Sequence, residues 1–206
     1  MTRSSILLML IGFGFSAALG GCSVLSPQAD PTRFFLLTSL AEESAEETGD
    51  PLPGITLGLG PVSVAPYLKR NALVTRLGPN QVDFSEVDRW AEPIDAHIAL
   101  ILARDLEVLL GTEEVILYPW YSTRRPDYAL ELRVLRFERD AGGTAELVAS
   151  WAVRDVEQDE TLLERGMSFR ESAAANTTEA SVAALSRTVA SLAGELAADL
   201  RGLIRR

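Results

Sequence analysis

Residues able to do covalent or acid–base chemistry are scarce in this chain. There is one cysteine, Cys22, and one histidine, His97. A lone thiol forms no internal disulfide, and with a lone imidazole it gives no His/Cys metal cluster. Carboxylates are more plentiful, and Asp83, Glu86, Asp88, Glu92 and Asp95 form an acidic run. Two carboxylates serve as general acid and base only when space brings them together, which sequence spacing does not establish. A solvated rim is the reading adopted for this run. Gly58-Leu59-Gly60-Pro61 superficially matches a phosphate loop but lacks the third glycine and a following helix, so it reads as a glycine-relieved strand. Asn176-Thr177-Thr178 matches a glycosylation acceptor, but a helix cap explains it. His97 falls on a predicted helix, where a surface position or a satisfied partner explains it better than catalysis. Nothing in this set argues for an enzyme.

The surroundings of Cys22 give the thiol another task. Arg3 precedes Ile6–Leu19, a run without charge. At about 1.5 Å per residue this run reaches roughly 21 Å, short of a hydrocarbon core of about 30 Å. A basic start, a short apolar segment and then small residues describe a secretory signal peptide better than a membrane span. Leu19-Gly20-Gly21-Cys22 resembles the bacterial lipobox, in which a signal peptidase cuts just before the cysteine. In such proteins the thiol carries a diacylglyceryl group, and the freed amine receives an acyl chain such as palmitate. One chain binds a membrane marginally, whereas two or three anchor stably. The competing reading is an ordinary signal peptide with an incidental cysteine. Ser23 stands where an aspartate would mark inner-membrane retention, which by the same resemblance favours the outer membrane. The expected organisation is a signal peptide over 1–21, a lipidated N-terminus and tether over 22–33, and one folded domain over 34–206.

Composition narrows the partners. Nineteen basic and 29 acidic residues give a net charge of −10, and Arg3 leaves with the signal peptide. So acidic a chain is poorly suited to nonspecific binding of nucleic acid or an anionic bilayer surface. A domain of this length buries about 70% of its unfolded surface without disulfides. No metal or other cofactor is expected beyond the lipid on Cys22.

Periodicity then supplies the scaffold. Strands are expected at Phe34–Thr38, Ile55–Val64, Ala72–Leu77, Gln81–Ser85, Val115–Tyr118, Tyr128–Glu138, Leu147–Val156 and Leu162–Phe169. Gly78-Pro79-Asn80 is read as a three-residue hairpin turn, and residues 41–54 as an exposed loop. Tyr128–Glu138 alternates Leu130, Leu132, Val134 and Arg136 against Glu131, Arg133, Leu135 and Phe137. Ile94, Ile98, Ile101, Leu102, Leu106 and Leu109 mark one helix, with Pro93 in its first turn and Gly111 ending it. Val182 through Leu203 mark a second, capped by Asn176 with Glu179 reaching back, and with Arg201, Arg205 and Arg206 complementing its C-terminal dipole. The order is four strands, a helix, four strands, a helix. The fold class is α/β, a single domain with a mixed β-sheet covered by two amphipathic helices. Of the tryptophans, Trp151 reads as core. Trp90, beside Arg89 and acidic groups, reads either as core or as a contact hot spot.

"GPVSVAPYLKRNALVTR" (60–76), "RWAEPI" (89–94), "YPW" (118–120) and "DYALELRVLRFE" (127–138), with Trp151 and the Ala-rich final helix, resemble the ABC-type transport auxiliary lipoprotein family in order and spacing. The resemblance covers about Phe34 to Leu200. It implies a noncatalytic lipoprotein on the periplasmic face of the outer membrane. Its expected partner is an MCE-domain protein, which connects it indirectly to an inner-membrane permease and ATPase for lipid transport. A homo-oligomeric ring is also implied. Cys22 carries over as the lipidation site, and Arg89, Trp90, Glu92 and Trp120 as candidates for fold or partner interface. A lipid-binding carrier, and a structural or regulatory envelope lipoprotein, are the two alternatives.

Overall fold

Alternation runs without a fault through strand β7 (Thr144–Asp155), where Ala145, Leu147, Ala149, Trp151 and Val153 are buried and the residues between them are half-buried. One face of this strand meets the core and the other faces outward, as in an antiparallel sheet covered on a single side. This computed structural model describes residues 30–40, 52, 54–112, 114–121 and 124–205. Residues 32–206 form one compact unit. Cys22 and Leu19-Gly20-Gly21 lie outside the described residues.

Besides β7, the described residues carry β1 (Arg33–Phe35), β2 (Leu57–Val64), β3 (Ala72–Gly78), β4 (Gln81–Trp90), β5 (Val115–Leu117), β6 (Tyr128–Asp140) and β8 (Glu160–Ser172). Helices α1 (Ile94–Leu110) and α2 (Thr178–Ile204) complete the expected order. All eight strands belong to one mixed sheet. Six follow the order β1-β4-β3-β6-β2-β5, while β7 pairs with β6 and β8 pairs with β7. Helix α1 packs across β2 and β5, α2 across β7 and β8, and the helices pack against each other. No helix among the described residues is long and apolar enough to cross a membrane.

Strand β6 departs from simple alternation. Its pairing with β7 slips between Val134 and Arg136, the mark of a β-bulge. Leu130, Leu132 and Val134 face the core, Leu135 is 46% exposed, and Phe137 returns to the core at 2%. The expected grouping of Phe137 with Glu131 and Arg133 is therefore wrong, because the extra residue inverts the phase beyond it. Phe137 stacks on Trp90, with centroids 5.9 Å apart.

Several element ends differ from expectation for identifiable reasons. Gly78 pairs with Gln81, so the hairpin turn has two residues, Pro79 and Asn80. Strand β4 runs on to Trp90 because Asp88–Trp90 pair with β1 in parallel. Strand β1 stops at Phe35, after which the chain crosses onto the helices: the Thr38 amide donates to Ser186 Oγ at 3.1 Å and the Leu40 amide to Asp105 Oδ1 at 2.7 Å. Leu52, expected in an exposed loop, is buried, and its amide donates to the Leu110 carbonyl at 2.8 Å. Strand β5 is buried only at Val115, since it forms a sheet edge.

The helix ends show the same mixture. Pro93 precedes α1 as its N-cap, its carbonyl accepting from the His97 amide at 3.0 Å. Gly111 ends α1 at φ 57°, a left-handed conformation that favours glycine. The cap of α2 is Thr177 instead of Asn176, its hydroxyl accepting from the Ala180 amide at 3.2 Å. Glu179 does not reach back, because Arg33 holds it. Arg201 serves α1 as well as its own helix, donating to the carbonyl of Leu109.

The bulge yields a contrast between near neighbours. Phe137→Ala is expected to destabilise by about 3–5 kcal/mol, the usual cost of emptying a packed aromatic site. Leu135→Ala should stay within about 0.5 kcal/mol, as exposed substitutions do. Urea unfolding midpoints of the two variants check this, and equal losses would contradict the phase change.

Candidate functional site

Two glycines on β2 create the most unusual surface of the domain. A Cβ on Gly58 would lie 2.6 Å from Pro126 Cγ and 3.0 Å from Trp120, and one on Gly60, at φ 121°, would lie 2.7 Å from Tyr118 Cβ. Glycine is needed here because the segment after β5 folds back onto β2, where the Tyr118 amide donates to the Leu59 carbonyl at 2.9 Å. The glycine-relieved reading of Gly58 and Gly60 thus has a physical cause. Tyr118 and Trp120 meet edge to face at 5.2 Å.

This arrangement pushes apolar and aromatic side chains outward at the β5 edge. Leu117 is 39%, Tyr118 55% and Tyr121 74% exposed, while Trp120 is half-buried. A recess of about 510 Å³ at β5 is lined by Glu107, Leu117, Pro119, Trp120 and Tyr121. A second, of about 300 Å³, is lined by Pro61, Val62, Asp95, Ala96 and Tyr118. Both are open grooves beside β5, which has no second strand neighbour among the described residues. The Val115 amide of this edge donates to Glu107 Oε1 at 3.3 Å, and the rest of the edge, beside rigid aromatics, suits the docking of an extended segment by strand addition.

The four interface candidates from sequence are not brought together. Arg89 is exposed and pairs in register with Phe34 of β1, one end of the six-strand order. Glu92 is exposed just before α1. Trp120 stands beside β5, the other end of that order. Trp90 is 4% exposed against Phe137, so the structure places it in the core and removes the hot-spot alternative. Trp151 is buried as expected, its Nε1 donating to Asp199 Oδ2 at 3.0 Å. Sequence reading overlooked Tyr118 and Tyr121; the clue was their place around Trp120, just after a short strand.

The acidic run also divides. Asp83, Glu86 and Glu92 are exposed, as a solvated rim requires. Asp88 is buried and is no rim residue: Arg33 Nε donates to its Oδ1 at 2.8 Å and the Thr178 hydroxyl to its Oδ2 at 2.8 Å. Arg33 Nη1 also reaches Glu179 Oε1 at 2.9 Å. This cluster fastens β1, the first strand of the domain, to β4 and to the start of α2. His97 is buried on the inner face of α1, which excludes the surface position.

A second charged cluster lies where β2 ends and β3 begins. Glu138 on β6 is 1% exposed, accepting from the Tyr67 hydroxyl at 2.8 Å and from Arg76 Nε. Burial, reinforced by the Glu138 carboxylate, holds the Tyr67 phenol well above its ordinary value of 10.0. The hydrogen bond to Glu138 raises Arg76 further, against the effect of burial. On the outer sheet face, burial pushes Glu146 up, but hydrogen bonds from Arg170 and Arg136 outweigh it and hold the carboxyl below its usual range. Among the described residues, no group of three or more His, Cys, Asp and Glu side chains could hold a metal ion. These charged groups are braced by arginines as structural joints.

Comparison with known proteins adds the following. Among solved structures, one described only as an uncharacterized protein superposes with a TM-score of 0.66 at 18% identity, covering 82% of this chain and 98% of its own. Protein XCC0632 from Xanthomonas campestris superposes with a TM-score of 0.65 at 19% identity, covering 80% of this chain and 92% of its own. Identities this low establish a shared fold. No curated protein matches the sequence. Residues 35–197 match the family described as ABC-type transport auxiliary lipoprotein component.

The Tyr67 joint predicts a pH dependence. Its folded pKa is raised above the unfolded one, so its contribution is complete below pH 10 and is lost as pH rises towards the folded value. Wild type should therefore lose stability faster than Tyr67→Phe between about pH 10 and 11.5. Urea midpoints across that window check it, and parallel curves would contradict the account.

Proposed function

We propose, from the premise that this chain belongs to the ABC-type transport auxiliary lipoprotein family, that it is a noncatalytic docking subunit at the outer membrane. Its partner is an MCE-domain protein that bridges the periplasm to an inner-membrane permease and ATPase, and the cargo is lipid. Cys22, acylated on thiol and amine, is the foot on the periplasmic face of that membrane. A transport path between two bilayers needs a fixed end, and two or three acyl chains supply a stable one.

The observation that carries this reading is the open β5 edge with Leu117, Tyr118, Trp120 and Tyr121 around it. Strand addition by a partner would extend the sheet beyond β5, and the aromatics would fix its position. Trp120 stays in this contact as a half-buried support for Tyr118, whereas Arg89 lies on β4, paired with β1. The alternative of a lipid-binding carrier needs an enclosed apolar cavity of several hundred Å³. The apolar pocket between Leu57, Leu110 and Leu200 holds about 10 Å³, and the larger recesses are open grooves. That favours docking over carriage.

Purification from detergent-solubilised membranes tests the proposal. Wild type should carry a lipid-modified N-terminus at Cys22 and retain an MCE-domain protein, with native mass counting the copies in the ring. Tyr118→Ala combined with Tyr121→Ala should retain about tenfold less partner or lower still, the loss of hot-spot contacts. Cys22→Ala should leave the membrane fraction. A lipidated wild type without an MCE-domain partner would sink the docking role and move the envelope-regulator reading to first place.

A further inference from the structure

We infer that the β1 edge of the domain rests on the bilayer that holds its own anchor, with Phe34 and Leu36 entering the interfacial layer. Phe34 is 66% and Leu36 52% exposed, among the most exposed large apolar side chains described. They sit at the start of the domain, on and just beyond its first strand. Neighbouring Phe35 and Leu37 turn inward, Phe35 against the core and Leu37 to 3% exposure. The alternation is therefore that of an ordered edge with an apolar outer row.

The tether selects the bilayer as the occupant. Eleven peptide steps separate Cys22 from Arg33, at most about 36–40 Å when fully extended. A domain of this size has a radius of gyration of about 16 Å. The β1 end is therefore the part of the domain joined directly to the anchor, and the tether limits how far Arg33 can stand from the membrane.

Arg33 is no loose lead. Its guanidinium is fixed by Asp88, Thr178 and Glu179, so the direction in which the tether leaves is set by β4 and α2. Cations cluster at this edge of an otherwise acidic chain. Arg89 pairs with Phe34 in register, and Lys69 and Arg70 precede Asn71, whose carbonyl accepts from the Trp90 amide at 2.7 Å. All three are exposed, as are Glu86 and Glu92, and Arg70 lies over the Phe84 ring of β4 at 4.6 Å. Apolar side chains flanked by arginine and lysine suit the boundary between acyl chains and headgroups.

This inference rests on the lipid anchor of the proposed function and is independent of the partner. The experiment uses the full lipoprotein, in which acylated Cys22 leaves no other thiol. Leu36→Cys and Leu117→Cys are each labelled with an environment-sensitive fluorophore and reconstituted into vesicles of phosphatidylethanolamine and phosphatidylglycerol. Lipid spin-labelled near the headgroup should quench position 36 severalfold more than position 117. Equal quenching, or none at 36 in protein that floats with vesicles and carries lipid on Cys22, overturns the orientation and leaves the anchor intact. A blue-shifted label at 36 that spin-labelled lipid does not quench assigns the edge to a protein contact and also overturns it. Protein that does not float and has an unmodified Cys22 overturns the anchor, and the orientation with it.

Discussion

Strand β6 has a single neighbour along one edge and two along the other, and the joint between those two holds the domain together. Its first half pairs with β2 and its last residues with β3, while the turn Pro66–Lys69 fills the interval between them. Glu138 is buried in that interval. A buried carboxylate without partners is strongly unfavourable, and breaking such a pair typically costs about 3–5 kcal/mol. Tyr67 from the turn and Arg76 from β3 satisfy it together. The bulge at Leu135 turns Phe137 inward, against Trp90, and leaves Glu138 facing that gap. One extra residue therefore sets the phase of the strand, the site of the buried charge and the stacking at the end of β4.

That division has a functional consequence. Because β6 accepts both β2 and β3 along one edge, that side of the sheet divides into two branches that end separately at β1 and β5, while β7 and β8 extend the sheet from its other edge. The β1 edge carries the end of the chain that leads to Cys22, and the β5 edge carries the aromatic cluster. A subunit that must stand on a membrane while holding a partner needs its two contacts apart, so that one does not obstruct the other. Arg33, Asp88 and Glu179 stiffen the first edge; Gly58 and Gly60 let Tyr118 and Trp120 settle closely on β2 at the second.

Much of the scaffold was legible in the sequence because it depends on local period. The apolar face of α1, its end at Gly111, the hairpin strands β3 and β4 and the alternation of β7 all follow from neighbours a few residues apart. The bulge was hidden because Leu135 and Phe137 are both apolar, so either phase reads plausibly. Strand order was illegible, since pairing of β1 with β4 brings together residues such as Arg33 and Asp88 from distant parts of the chain. Trp90 and Trp120 looked alike in sequence; long-range packing sends one into the core and leaves the other beside an open strand. Asp88 looked like its exposed neighbours for the same reason. The family resemblance needed none of this geometry, because its motifs are contiguous.

The central claim is that the β1 and β5 edges serve different contacts, and photo-crosslinking in living cells addresses it most directly. A photoreactive phenylalanine analogue replaces Tyr121 in one strain and Phe34 in another. The account predicts a protein adduct identified as an MCE-domain protein at position 121, and at position 34 no adduct with that protein. An MCE-domain adduct at position 34, with none at 121, would contradict it.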